Sequence, residues 1–281
     1  MIELNENARG SMVRAGGVDL FVRDWGDGRP ILFLSGWTLT SGMWGHQMAP
    51  LAREGFRCVA YDRRAHGRSG DPGVGFDFDT LADDLAAVLD ALDMEDVTVV
   101  AHSFSSGEIV RYLERHRGRR VGRVLLLAPA ALPCRVRRPD NPVGIEPEQI
   151  AALLARLEDD FPGWIEANAD PYFGPGAPRA LVDWTVHTML QTSLLATVEL
   201  TRIQMTTDFR QALARIDTPT LVIHGDRDAS APLELTGQPA SELIPGARLV
   251  VYEGAPHGLY FTHRHRLNAD IAAFATTGAP S

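Results

Sequence analysis

No lysine occurs in the 281 residues, so all 27 basic side chains are arginines. That absence excludes a lysine nucleophile, a Schiff base and the lysine of a phosphate-binding loop. A bias in the coding sequence accounts for it without any function. Cysteine is nearly as scarce. Cys58 lies in the apolar run Phe56–Tyr61 and Cys134 follows Pro133 in a different region, which argues against a disulfide scaffold and for a reducing cytoplasm. A cationic surplus is also missing. The net charge of −9 gives no footprint for nucleic acid, whose binding needs clustered positive charge. The apolar runs fall well short of the roughly 20 residues that cross a bilayer, and Met1–Asn7 has no cationic segment leading into an apolar one. The expectation is a soluble cytoplasmic protein without membrane or nucleic-acid partners. None of the histidines shows metal-ligand spacing, so no metal or other cofactor is expected.

What the chain does contain is globular. A hydrophobic fraction of 45% with 22% charged residues supports a sizeable core and argues against disorder. Met12–Ala15 and Val18–Asp24 flank Gly16-Gly17, the pattern of a hairpin. Ile31–Leu34, Arg57–Asp62, Val97–Val100 and Val124–Leu127 read as strands, most of them short continuous apolar runs buried on both faces. Helical spacing lies between them near Met43–Arg53, Phe78–Leu92 and Glu108–Arg115, with Asp79 or Thr80 as cap of the second. This alternation predicts a mostly parallel sheet covered on both sides. From Ala131 to Arg215 the strands stop. Helices are expected at Glu148–Glu158, Pro178–Leu190 and Leu194–Met205, with Phe161-Pro162-Gly163 and Gly174-Pro175-Gly176 as breakers. The alternation resumes with Thr220–His224, a helix after Pro232, the strand Arg248–Tyr252 and a last helix Leu259–Phe274. The division is therefore a core domain of residues 1–130 and 216–281 carrying a helical cap at 131–215.

Three segments carry chemistry. In Val99–Gly107 a buried strand runs directly into a helix, and a sharp turn there lifts one side chain above the sheet edge at a helix N-terminus. Ser103 and Ser105 both fit as nucleophile, and an ordinary helix cap is the bland alternative. Leu221–Asp228 ends a strand in Gly-Asp-Arg-Asp, placing Asp226 and Asp228 at the carboxyl edge of the sheet, where sites of such folds lie. His257 follows the last strand. Ser, Asp and His in that chain order are the arrangement of one serine-hydrolase fold and differ from the others. His66, His102, His187, His224, His263 and His265 read as structural or surface residues.

These segments resemble the α/β-hydrolase family over about Met12–Ala273. Asp62-Arg63-Arg64-Ala65-His66-Gly67-Arg68-Ser69 and Tyr252–Gly258 look like the branch of non-haem haloperoxidases, perhydrolases and aryl esterases. The resemblance implies an eight-stranded-type, mostly parallel sheet with an inserted helical cap. It assigns the nucleophile to Ser103, the base to His257 and the orienting acid to Asp228, leaving Asp226 as a turn or loop-bonding residue. The backbone N–H groups of Trp37 and Phe104 become the oxyanion donors, Trp37 being a packed aromatic as well. The chain departs from the family pattern at four places: Ala101 and Ser105 stand for glycines, Ser35 for a histidine, and Thr38 for a proline common in perhydrolase-type members. The implied activity is hydrolysis of a small-molecule ester or lactone, with weak perhydrolysis where peroxide replaces water. Thr38, Trp164, Tyr172, Trp184 and His187 are candidate substrate contacts; the cap aromatics, Phe173 and Met189 among them, fit the cap's own core equally well. Two rivals stay open. The same triad could serve C–C cleavage or a lyase step, or the fold could be a non-catalytic small-molecule receptor. An aspartate-nucleophile enzyme is disfavoured by Ser103. Oligomeric state is undetermined, a homo-oligomer being one option.

Overall fold

A computed structural model describes residues 11–280; the reading of Met1–Asn7 as lacking a leader lies outside them. Eight strands form one sheet: β1 (Ser11–Ala15), β2 (Val18–Trp25), β3 (Arg29–Leu34), β4 (Phe56–Tyr61), β5 (Val97–His102), β6 (Val121–Leu127), β7 (Thr220–Gly225) and β8 (Arg248–Tyr252). Their spatial order is β1-β2-β4-β3-β5-β6-β7-β8. The pairs β1–β2 and β2–β4 are antiparallel, and the rest are parallel. Gly16 and Gly17 close the first hairpin at φ of 50° and 83°, a conformation that a tight two-residue turn demands and glycine tolerates.

The apolar runs of the central strands serve two cores because successive side chains point to opposite faces. Leu32, Leu34, Val99, Ala101, Val124, Leu126 and Val222 pack on one side, with Leu81, Leu85 and Leu89 of α2 (Phe78–Ala91) and Ile109 of α3 (Ser105–His116). Ile31, Phe33, Val100, Leu125, Leu127, Leu221 and Ile223 pack on the other, with Met48 and Leu51 of α1 (Gly45–Arg53) and Leu267, Ile271 and Phe274 near the chain's end. The cap of α2 is Asp77, not Asp79 or Thr80: its carboxylate accepts from the Thr80 backbone N–H at 2.8 Å and from the Thr80 hydroxyl at 2.8 Å.

Between β6 and β7 come α4 (Pro147–Phe173), α5 (Arg179–Met189), α6 (Leu194–Thr206) and the short α7 (Arg210–Leu213). Ile150, Leu154, Leu157, Phe161, Ile165 and Val198 make a separate small core there, against which Trp37 packs. The expected break at Phe161-Pro162-Gly163 is a kink inside α4. Asp160 leaves helical geometry at φ −146° and ψ 71°, and its Oδ1 accepts from Gly163 N at 2.9 Å. Asp160 thus caps a restarted helix, and Pro162 falls in the first turn where its missing N–H costs nothing. After β7 comes α8 (Gly237–Leu243). The expected single last helix is divided into α9 (Leu259–Thr262) and α10 (Arg264–Thr277), parted at His263 with φ −115° and ψ 24°.

Candidate active site

Ser103 occupies the turn from β5 into α3 with φ +58°, a left-handed conformation costly for a side-chain-bearing residue. Backbone bonds on both sides hold it there: Ser103 N donates to Leu127 O at 2.9 Å and Ala130 N to Ser103 O at 3.2 Å. The Ser106 hydroxyl adds a bond to Ser103 O at 2.6 Å. The turn needs close packing beneath it. A Cβ at Gly107 would come within 2.6 Å of the Phe78 ring, so glycine is required at that position rather than at 101 or 105. The Ser105 hydroxyl instead bonds Leu34 O at 3.0 Å and His102 O at 2.9 Å, which turns it away from any base.

Three side chains meet at the sheet's carboxyl edge. His257 Nε2 lies 2.8 Å from Ser103 Oγ, and His257 Nδ1 lies 2.6 Å from Asp228 Oδ2. An ionised carboxylate only accepts, so the proton sits on Nδ1 and leaves Nε2 free to accept from serine. Asp228 is buried, its Oδ1 accepting from Ser230 N at 2.9 Å and Ala231 N at 2.7 Å. Burial raises its pKa, but the His257 charge, the His224 and His257 hydrogen bonds and that backbone bond outweigh it, holding the carboxyl well below the usual range. Asp226 bonds the loop that carries His257, accepting from Gly254 N at 2.6 Å.

Two histidines whose sequence context suggested only structural or surface roles are buried against this relay. His224 Nε2 lies 3.1 Å from Asp228 Oδ2 and 2.8 Å from Ala231 O, so it donates to the acid from a second side. His102 Nε2 contacts the His257 carbonyl at 3.2 Å, and the two rings are 4.9 Å apart. His102 is held neutral by burial and by His257, with a pKa lowered to about 3; burial and Arg63 lower that of His66 to about 4. Their folded-state pKa values lie below the ordinary histidine value, so the unfolded chain binds more protons once pH falls below ~6.5. The stability they contribute is complete above that pH and is lost as pH drops towards 4. Urea unfolding at pH 7, 6 and 5 should show a progressive loss on the order of a few kcal/mol, and a flat profile would refute the neutral assignment.

The backbone N–H groups of Trp37 and Phe104 donate to no acceptor among the described residues, and Trp37 and Ser103 both border one cavity of about 250 Å³. The helices between β6 and β7 supply much of its wall, including Leu157, Trp164, Tyr172, Val186, Met189 and Met205, and among the described residues no aspartate, glutamate or arginine lines it. Trp164 and Tyr172 are therefore part of the cavity wall. Trp37 and Trp164 meet edge to face with centroids 5.3 Å apart, so Trp37 is a packed aromatic as well. Trp184, His187 and Thr38, by contrast, do not line the cavity as their sequence context suggests. Helix α5 turns Val182, Thr185, Val186 and Met189 inward, and the 3.6-residue period leaves Trp184 (43% exposed) and His187 on the far face. Thr38 is buried behind the wall, its carbonyl accepting from the Thr192 hydroxyl at 3.0 Å.

Comparison with known proteins places the fold. A family model described as the alpha/beta hydrolase family matches residues 31–270. A non-heme chloroperoxidase of Kitasatospora aureofaciens is 36% identical over 92% of this chain and 96% of its own. A bifunctional esterase/perhydrolase of Acinetobacter calcoaceticus is 35% identical with the same coverage of each chain. Among solved structures, an esterase from Exiguobacterium antarcticum superposes with a TM-score of 0.91 at 28% identity, covering 95% of this chain and all (100%) of that one. The strand order, the serine elbow and the family match over most of the length converge: this chain belongs to the alpha/beta hydrolase family.

Proposed function

We propose that the chain hydrolyses small carboxylic esters or lactones through an acyl-enzyme on Ser103. The observation that carries this is the unbroken relay Asp228–His257–Ser103 opening on an uncharged, largely apolar cavity. As Ser103 Oγ attacks the ester carbonyl, its proton passes to His257 Nε2, and Asp228 stabilises the resulting imidazolium. The oxyanion is held by the N–H groups of Trp37 and Phe104 in a site that excludes water, where such donors are worth most. His257 then returns the proton to the leaving alkoxide, and the carbonyl re-forms as the C–O bond breaks. Water, deprotonated by His257, attacks the acyl group and releases the acid. Hydrogen peroxide in the place of water would release a peracid, the secondary activity that the esterase/perhydrolase relative's name supports. Residues 131–215 act as the cap that closes this cavity and selects the acyl and leaving groups.

A test pairs p-nitrophenyl acetate and butyrate turnover with intact mass after a fluorophosphonate. Expected are turnover and a single adduct, located on Ser103 and absent from Ser103→Ala. Ser105→Ala should keep both while losing ~1 kcal/mol of stability with the one hydroxyl proton it shares between two carbonyls. An adduct on Ser105 would overturn the assignment, and ligand binding without turnover across esters and lactones would favour the receptor reading.

A further inference from the structure

Beneath the two candidate oxyanion donors lies a buried arginine that the relay does not use. Arg63 and Glu108 have side-chain exposures of 3% and 1%. A guanidinium has five N–H donors in a rigid plane, and here all five find acceptors. Nε and Nη2 reach Glu108 Oε2 at 3.0 and 2.9 Å. Nη2 also reaches Ser35 O at 2.8 Å, and Nη1 reaches Trp37 O at 3.2 Å and Gly36 O at 3.5 Å. Three successive carbonyls of the loop after β3 are thus gathered on one cation. The same group lies 4.8 Å from the centre of the Phe104 ring. Glu108 stands one turn beyond Phe104 on α3, with its other oxygen taken by the Tyr61 hydroxyl. His66 Nε2 adds a contact to Trp37 O at 2.8 Å.

Peptide planarity gives this arrangement a consequence. The Gly36 carbonyl and the Trp37 N–H belong to one planar unit and point in opposite directions. Drawing Gly36 O towards Arg63, with Leu39 N bonding it from the loop at 3.2 Å, aims the Trp37 N–H the other way. A cation at the oxygen end also polarises the peptide and strengthens its N–H as a donor. Through Glu108 and the Phe104 ring, the same side chain fixes the start of α3, where the second N–H sits.

We propose that Arg63 is a positioning residue that sets the spacing and donor strength of the oxyanion site by clamping residues 35–37 to the N-terminus of α3. The proposal rests on the acyl-enzyme reading above. Arg63 does not touch substrate, so its removal acts on kcat.

The test compares wild type, Arg63→Lys and Arg63→Met, a separate aliquot of each being titrated to completion with a fluorophosphonate so that the rates of the unlabelled enzyme are expressed per competent site. Lysine keeps the charge against Glu108 and so preserves the fold, but its three donors cannot serve four acceptors spread around a planar fork. Expected losses in kcat are about tenfold for lysine and about a hundredfold for methionine, the scale of a lost oxyanion donor. KM should stay within about twofold, and affinity for a trifluoromethyl ketone, which forms a tetrahedral oxyanion on the serine, should fall in parallel with kcat. Folded Arg63→Lys with wild-type kcat and ketone affinity would overturn the proposal, as would a raised KM at constant kcat. If wild type turns over and Arg63→Lys is unaffected, the positioning role alone falls. If wild type neither turns over nor labels, the acyl-enzyme reading falls and the positioning role with it.

Discussion

Asp228→Asn is expected to lower kcat for ester hydrolysis by about four orders of magnitude while leaving a folded protein. Oδ1 of Asp228 accepts from two backbone N–H groups, Ser230 and Ala231, so an asparagine keeps its oxygen there and turns its NH₂ towards His257. Nδ1 must then accept, which moves the imidazole proton to Nε2, the atom that faces Ser103 Oγ at 2.8 Å. A protonated Nε2 cannot take the serine proton. The same NH₂ opposes His224, whose Nε2 lies between Asp228 Oδ2 and Ala231 O and so carries its own proton. That donor-to-donor contact costs ~1–3 kcal/mol, and the melting temperature should fall slightly. Steady-state kinetics with p-nitrophenyl butyrate check the first effect. A loss below tenfold would mean that Asp228 does not orient the base.

The largest effect on stability is expected at Asp84. Its carboxylate meets Arg64 as a bidentate pair, Nε–Oδ2 and Nη2–Oδ1 both 2.7 Å, and each side chain is only 3% exposed. Asp84→Leu strands a buried guanidinium and should cost ~3–5 kcal/mol, a fall of roughly 10 °C in melting temperature for a domain of this size. Burial, joined by the nearby Glu108 and Asp83 charges, leaves the Asp84 pKa raised in spite of its Arg64 bonds, so desolvation offsets much of what the pair gains by attraction. It follows that Arg64→Met combined with Asp84→Leu should recover most of the loss, because no charge is then left unpaired. Thermal unfolding of the two single variants and the double variant measures this directly. Equal losses in all three would show that the pair's worth lies in packing rather than charge.

Particular residues show how far local reading extends. His224 and His102 sit in strands, and a histidine there reads alike whether it touches Asp228 or nothing; only burial against the relay gives it a role. Arg63 was legible as part of Asp62–Ser69 but not as a clamp, because its acceptors are carbonyls of residues 35–37 and carbonyls have no sequence signature. Trp184 and His187 have the chemistry of substrate contacts, yet the face that α5 turns inward depends on how the inserted helices sit over the sheet. The kink at Asp160 needed the Gly163 N–H as partner, which turned an apparent break into one bent helix.

By itself the sequence determined the alternation of strands and helices, the site of the helical insertion, and the three segments that carry serine, aspartate and histidine. These follow from short-range physics: apolar runs of strand length must be buried on both faces, and glycine, proline and capping residues act on their own neighbours. The family resemblance already pointed to Ser103 over Ser105 and to Asp228 over Asp226; only the tertiary structure brings both against His257 and decides which side chains of the helices between β6 and β7 line the cavity. Each of those choices depends on where two segments meet. Ser103 and His257 are 154 residues apart in the chain and 2.8 Å apart in space, a proximity that no local propensity encodes and that only the packed sheet brings about.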